Sequence, residues 1–208
     1  MLNIGAIAAA DAAREPFPHF KTDVLGQSDL ASIRQDFPVI EKPGIFPVGT
    51  LQFGPAFSTL IDEMRSEDFA EAVGHKLGVE LKGLPTMITV RGRAQAKDGR
   101  IHTDTKDKVA TCLLYLNGAW DEGGGRLRLL RNGDDLEDYI AEIPPHGGTF
   151  VAFKVSPNSW HGHKPFVGER RYVMLNWLRS EGAKARQQGR HNLSAKVKKL
   201  IPFFYSGK

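Results

Sequence analysis

From Thr86 the spacing of apolar residues changes from helical to alternating, and it stays alternating as far as Arg179. Alternation puts successive side chains on opposite faces of a strand. Met87–Gly92, residues 100–104, Val109–Asn117, Arg126–Leu130, Tyr139–Ile143, Thr149–Val155, Ser159–Lys164 and Arg171–Arg179 each read as a short strand, separated by turns that are often Gly- or Pro-bearing. Parallel α/β sheets need long helical crossovers, and this stretch leaves no room for them. The pattern predicts a mainly β (α+β) chain, built as a double-stranded β-helix or jelly-roll. Val109–Asn117 is apolar almost throughout, as a strand covered on both faces would be.

The residues before Thr86 read as support for that core. Glu15-Pro16-Phe17-Pro18-His19-Phe20 is too rich in proline for a helix and is expected to lie along the sheet as an edge strand. Ser28 to Ile33 reads as a capped helix with Leu30 and Ile33 on one face, stopped at Asp36-Phe37-Pro38. Residues 39–54 are punctuated by Pro and Gly and predict a loop. Two helices follow, over about 56–65 and 67–78, the second with Phe69, Val73 and Leu77 in register. A chain of 208 residues suits a single core. The expected division is 1–84 as helical and edge-strand support, 85–180 as the β-helix core and 181–208 as a basic tail.

Three residues within the alternating stretch have metal-binding chemistry. His102 and Asp104 are spaced i and i+2, so an extended backbone turns both to one face. A second histidine comes later, in Ser159-Trp160-His161-Gly162-His163, where His161 and His163 share a face and either can reach. Two imidazoles and one carboxylate make the facial triad of non-haem Fe(II) oxygenases, which leaves coordination positions open for co-substrate and O2. Arg170 and Arg171 follow, and in an alternating strand only one of them faces inward. A guanidinium there would match both oxygens of a carboxylate.

Taken together with Thr111-Cys112-Leu113-Leu114-Tyr115-Leu116-Asn117 and Gly123 to Leu130, these residues resemble the 2-oxoglutarate/Fe(II)-dependent dioxygenases, in particular their prolyl-4-hydroxylase-like branch. The resemblance covers roughly residues 85–178 well and 15–84 weakly. It implies a hydroxylase of unactivated C–H bonds that uses Fe(II), 2-oxoglutarate and O2, with ascorbate as an accessory. It implies His102, Asp104 and His161 as catalytic metal ligands, His161 being preferred over His163 because Pro165 and the arginines follow at the family's spacing. Alignment on Tyr172 and Trp177 implies Arg171 as the co-substrate anchor, and Tyr115 as a second donor to the same carboxylate. Val173 and Leu175 stand where the family often has Ser or Thr, which removes a helper of that arginine. The substrate class stays open between a prolyl or other residue of a protein or peptide and a small molecule. A cupin-like metal- or ligand-binding module and a nucleic-acid demethylase are the alternatives.

Charge is uneven. The net +4 divides into +7 from Arg179 to Lys208 and −3 over the rest. A basic segment at 183–199 suits either a solvated helix or an anionic surface such as nucleic acid. Arg126 and Arg128 alternate with leucines and point either into the open end of the barrel or out to solvent. The one cysteine, Cys112, rules out an internal disulfide, reads as a buried core thiol and suits a reducing, cytoplasmic compartment. No stretch approaches the roughly 20 apolar residues of a membrane span. Ile4 to Ala13 lacks a preceding cation and reads as a helical or frayed leader rather than a signal peptide.

Overall fold

The apolar run at the centre of the sequence is buried on both faces, and the two faces belong to different cores. The computed structural model describes residues 1–189. Its strands are β1 (Ala12–Ala13), β2 (His19–Asp23), β3 (Phe46–Pro47), β4 (Thr86–Ala94), β5 (Lys108–Tyr115), β6 (Leu127–Leu130), β7 (Tyr139–Ile143), β8 (Thr149–Lys154), β9 (His161–Gly162) and β10 (Gly168–Leu178). A seven-stranded sheet runs β1-β2-β8-β5-β10-β4-β3, and a three-stranded sheet runs β7-β6-β9. The strands of both sheets pair antiparallel, which gives the jelly-roll that the alternation predicts.

Alternation sorts the side chains. On β5, Ala110, Cys112 and Leu114 face the helices, joined by Phe150 and Ala152 of β8 and by Val173, Leu175 and Trp177 of β10. Leu113 and Tyr115 face the other way, where Val151, Phe153 and Tyr172 meet Leu127, Leu129 and Ile143 of the smaller sheet. Each fully buried Leu, Ile or Phe contributes roughly 1.5–3 kcal/mol, so neither core is incidental.

The helices α1 (Ile4–Ala9), α2 (Gln27–Gln35), α3 (Pro55–Met64) and α4 (Glu67–Leu77) carry the first core. In α4 the Ser66 hydroxyl accepts from Phe69 N–H, acidic residues fill the first turn, and Gly78 at φ +67° closes the end in the left-handed region. Phe69, Val73 and Leu77 are buried as their spacing predicts. The leader is an ordered helix, with Ile7 fully buried. In α2 the cap differs from expectation. Gly26 takes the N-cap position without a side-chain bond, because its carbonyl already accepts from Leu30 N–H at 3.0 Å and Ser28 lies inside the first turn.

Two expected strands are much reduced. Residues 100–104 form only one bridge, His102 to His161, and Ser159–Lys164 shrinks to His161–Gly162. The entry of the chain into the sheet is also displaced, since β2 starts at His19 and lies between β1 and β8 rather than at the edge. Residues 181–189 are helical. The rest of the basic segment, 190–208, lies outside the described residues.

Candidate active site

His102 and His161 are held to each other by backbone. Each N–H donates to the other's carbonyl at 3.0 Å, and the ring centroids stand 4.3 Å apart. The donor atoms of His102, Asp104 and His161 all lie within 4.8 Å of one another. Each histidine also has its tautomer fixed by a main-chain carbonyl. His102 Nδ1 lies 2.8 Å from Arg100 O and His161 Nδ1 lies 3.0 Å from Ser159 O, so these nitrogens carry the protons and Nε2 keeps a free lone pair. Burial is the main reason that the His161 imidazole stays neutral down to about 4. Burial works to raise the Asp104 carboxyl, but the Lys108 ammonium, His161 and the hydrogen bonds to it hold it at about 2.

Both oxygens of Asp104 are steered from β5. Lys108 Nζ donates to Oδ1 at 2.6 Å and the Thr111 hydroxyl to Oδ2 at 2.5 Å. Thr111 also sits 2.9 Å from the Asn176 amide, whose nitrogen is buried without a partner. One hydroxyl proton cannot serve two acceptors, so the amide is best placed with its N–H on Thr111, leaving the hydroxyl proton for Asp104.

These groups line a cavity of about 220 Å³ between the sheets, and Arg170, not Arg171, enters it. Arg170 is buried, donates from Nε to Gly125 O at 2.8 Å and from Nη2 to the Tyr115 hydroxyl at 3.3 Å. Arg171 faces the opposite side of β10. It pairs with Glu169 at 2.9 Å and lies over Phe37, 5.1 Å from its ring centre. Strand parity explains the correction. Arg171 shares a face with Val173, Leu175 and Trp177, which pack on the helices, whereas Arg170 shares one with Tyr172 and Met174, which line the cavity. Alignment on Trp177 therefore chose the wrong face. The apolar character of every second residue from Val173 onward was the available signal.

Tyr115 is fully buried and stands edge-on to Tyr172, their ring centres 6.0 Å apart. Asn117 staples β10 in place, its Oδ1 accepting from Arg171 N–H at 2.6 Å and its amide donating to Pro145 O at 2.7 Å. His163 also lines the cavity. Its Nδ1 lies 2.8 Å from Lys164 O, and burial, then the Arg170 charge, keep it neutral down to about 4. Arg126 and Arg128 do not look into the barrel. Arg128 is bound to Glu142 at 2.6 Å on the outer face, while Leu127 and Leu129 point in. Cys112 is buried and free, and burial pushes its thiol up.

Residues 92–179 match the sequence profile of the 2OG-Fe(II) oxygenase superfamily. Through this segment the chain is similar to that superfamily. The chain is similar in fold to a prolyl-4-hydroxylase from Pseudomonas putida, with 18% identity and a TM-score of 0.54 over 85% of this chain and 97% of that one. It is also similar to the viral collagen prolyl hydroxylase of Paramecium bursaria Chlorella virus-1, solved with 2OG, at 17% identity and a TM-score of 0.51, covering 78% and 95%. No curated protein sequence matches it. The matched profile is that of Fe(II)- and 2-oxoglutarate-dependent oxygenases, and the donor set of two neutral imidazoles and one carboxylate fits Fe(II). No helix among the described residues is long and apolar enough to cross a membrane.

Proposed function

We propose that His102, Asp104 and His161 hold the iron, and that Arg170, with the Tyr115 hydroxyl beside it, grips the far carboxylate of 2-oxoglutarate. The observation that carries this is the meeting of three metal donors within 4.8 Å in a cavity that also holds a buried arginine. Loaded with iron and 2-oxoglutarate, the centre would use O2 to hydroxylate a C–H bond, one oxygen atom going to the product and the other to succinate, with CO2 released. Around it the chain orients and excludes water. The carbonyls of Arg100 and Ser159 aim the two imidazoles, Thr111 aims the carboxylate, and Leu113, Leu127 and Met174 give the cavity dry walls.

The substrate is proposed to be a prolyl group or a comparably small saturated carbon centre. The named activities of the two similar structures support the first, although a shared scaffold does not by itself fix a substrate. A buried free thiol suits a reducing, cytoplasmic setting. The test is succinate formation under air with Fe(II). It should require 2-oxoglutarate, proceed slowly without substrate and faster with proline-bearing compounds, and vanish in His161→Ala. Metal binding with no 2-oxoglutarate turnover under any of these conditions would make the chain a cupin-like binding module instead.

A further inference from the structure

The cavity contains a second guanidinium that the proposed iron and co-substrate sites leave unused. Arg91 of β4 is 7% exposed and lines the same cavity. Asp98 takes its Nη1, and its Nε is buried with no partner among the described residues. Asp98 itself is held in place by Gln95 N–H at 3.0 Å.

Strand register separates this arginine from the co-substrate anchor. Tyr172 of β10 pairs with Arg91 on one side and with Tyr115 on the other, so the three stand in one row across adjacent strands. Neighbouring strands are about 4.8 Å apart, which sets Arg91 roughly two strands from Tyr115. Arg170 reaches toward Tyr115, on the β5 side, and leaves the β4 side to Arg91. Both guanidinium carbons lie near the Tyr172 ring, at 5.2 Å for Arg170 and 5.8 Å for Arg91.

Charge balance says what is missing. Three cations, Arg91, Lys108 and Arg170, stand at the cavity wall, against Asp104 and the Asp98 paired to Arg91. Fe(II) and the 2-oxoglutarate dianion cancel each other. One positive charge therefore remains at the wall of a partly apolar cavity, where an uncompensated charge is costly. A monoanion removes that cost. Part of the volume of about 220 Å³ goes to 2-oxoglutarate, so the share left for the anion-bearing group is small.

We propose that Arg91 is the substrate's anion contact, so that the oxygenase acts on a small carboxylic acid, such as a free amino acid or a chain's C-terminal residue, rather than on an internal residue of a protein. This rests on the assignment of Arg170 to 2-oxoglutarate. Propanoate and its neutral counterpart propanamide are the probes, titrated into the Fe(II)- and 2-oxoglutarate-loaded protein without O2 and read by the thermal midpoint. Propanoate should raise the midpoint saturably and propanamide should not. Arg91→Gln leaves Asp98 buried and unpaired and risks misfolding, so the decisive variant is R91Q/D98N, which removes both charges. In it propanoate should bind at least tenfold more weakly while 2-oxoglutarate binding stays within about twofold. Arg91→Lys should fall between the two. The proposal is overturned if propanoate fails to bind the native protein, if it binds the double variant equally well, or if the double variant loses 2-oxoglutarate. Failure of 2-oxoglutarate to bind the native protein would instead remove the reading on which it rests.

Discussion

A carboxylate that is to bind a metal must be kept aimed, and at Asp104 one hydroxyl does much of the aiming. Thr111→Val keeps the shape of β5 and removes that hydroxyl. Loss of an outer hydrogen bond of this kind costs about 10–100-fold in metal affinity, so Mn(II) or Fe(II) should bind weaker by that factor, with about 1–3 kcal/mol of stability lost because the buried Asn176 amide loses its partner too. The two neighbouring arginines make a sharper contrast. Arg170→Gln should raise the dissociation constant of 2-oxoglutarate about 10²-fold, because a buried charge-assisted pairing worth roughly 1.5–3 kcal/mol is lost together with the aim of Tyr115. Arg171→Gln, on the helix side and paired only to Glu169 at 2.9 Å, should change it less than about twofold. Equal effects of the two substitutions would contradict the parity of β10. At this scale the sequence exposes the donors, because His102 and Asp104 carry their own spacing. It hides Thr111, Lys108 and Arg91, which become site residues only when β4, β5 and β10 lie side by side.

The element proposed to bind iron is barely an element. The segment bearing His102 and Asp104 touches the smaller sheet through one bridge, and β9 has two residues. Neither is long enough for alternation to announce it, which is why both read as longer strands than they are. Helix α4, by contrast, is legible end to end, since Ser66, the acidic first turn and Gly78 are all local signals. What lets the two histidine-bearing segments meet is the absence of a side chain at Gly162. A Cβ there would stand 2.8 Å from Gly99 O, 3.1 Å from Leu136 Cδ2 and 3.3 Å from the Ile101 Cα. Gly162→Ala should therefore push the His102 segment away from β9. The expected result is a metal affinity lowered by tenfold or more, measured by titration with Mn(II), alongside a loss of stability of about 1–3 kcal/mol from overpacking. A variant with native metal affinity would show that the bridge does not set the site.

Burying a site inside a β-barrel makes the stability of the whole molecule depend on protons. His161 and His163 ordinarily titrate at 6.5, and in the folded protein burial lowers both to about 4. Below 6.5 the unfolded chain therefore takes up protons that the folded chain refuses, and stability falls as pH falls through that window. By pH 5 each ring should have removed about 2 kcal/mol from the metal-free protein relative to neutral pH, a large share of the 5–15 kcal/mol that a domain has. Asp104 acts lower down. Its carboxyl is held at about 2 against an ordinary 3.8, so its contribution persists through pH 5 and is lost only as pH falls from about 4 toward 2. Urea unfolding of the metal-free protein at neutral pH and at pH 5 reads the first step separately from the second. His163→Gln removes one of the two rings while leaving the metal donors in place, so the drop between those pH values should shrink by about half. An undiminished drop in that variant would mean that the His163 ring is not held neutral inside the cavity.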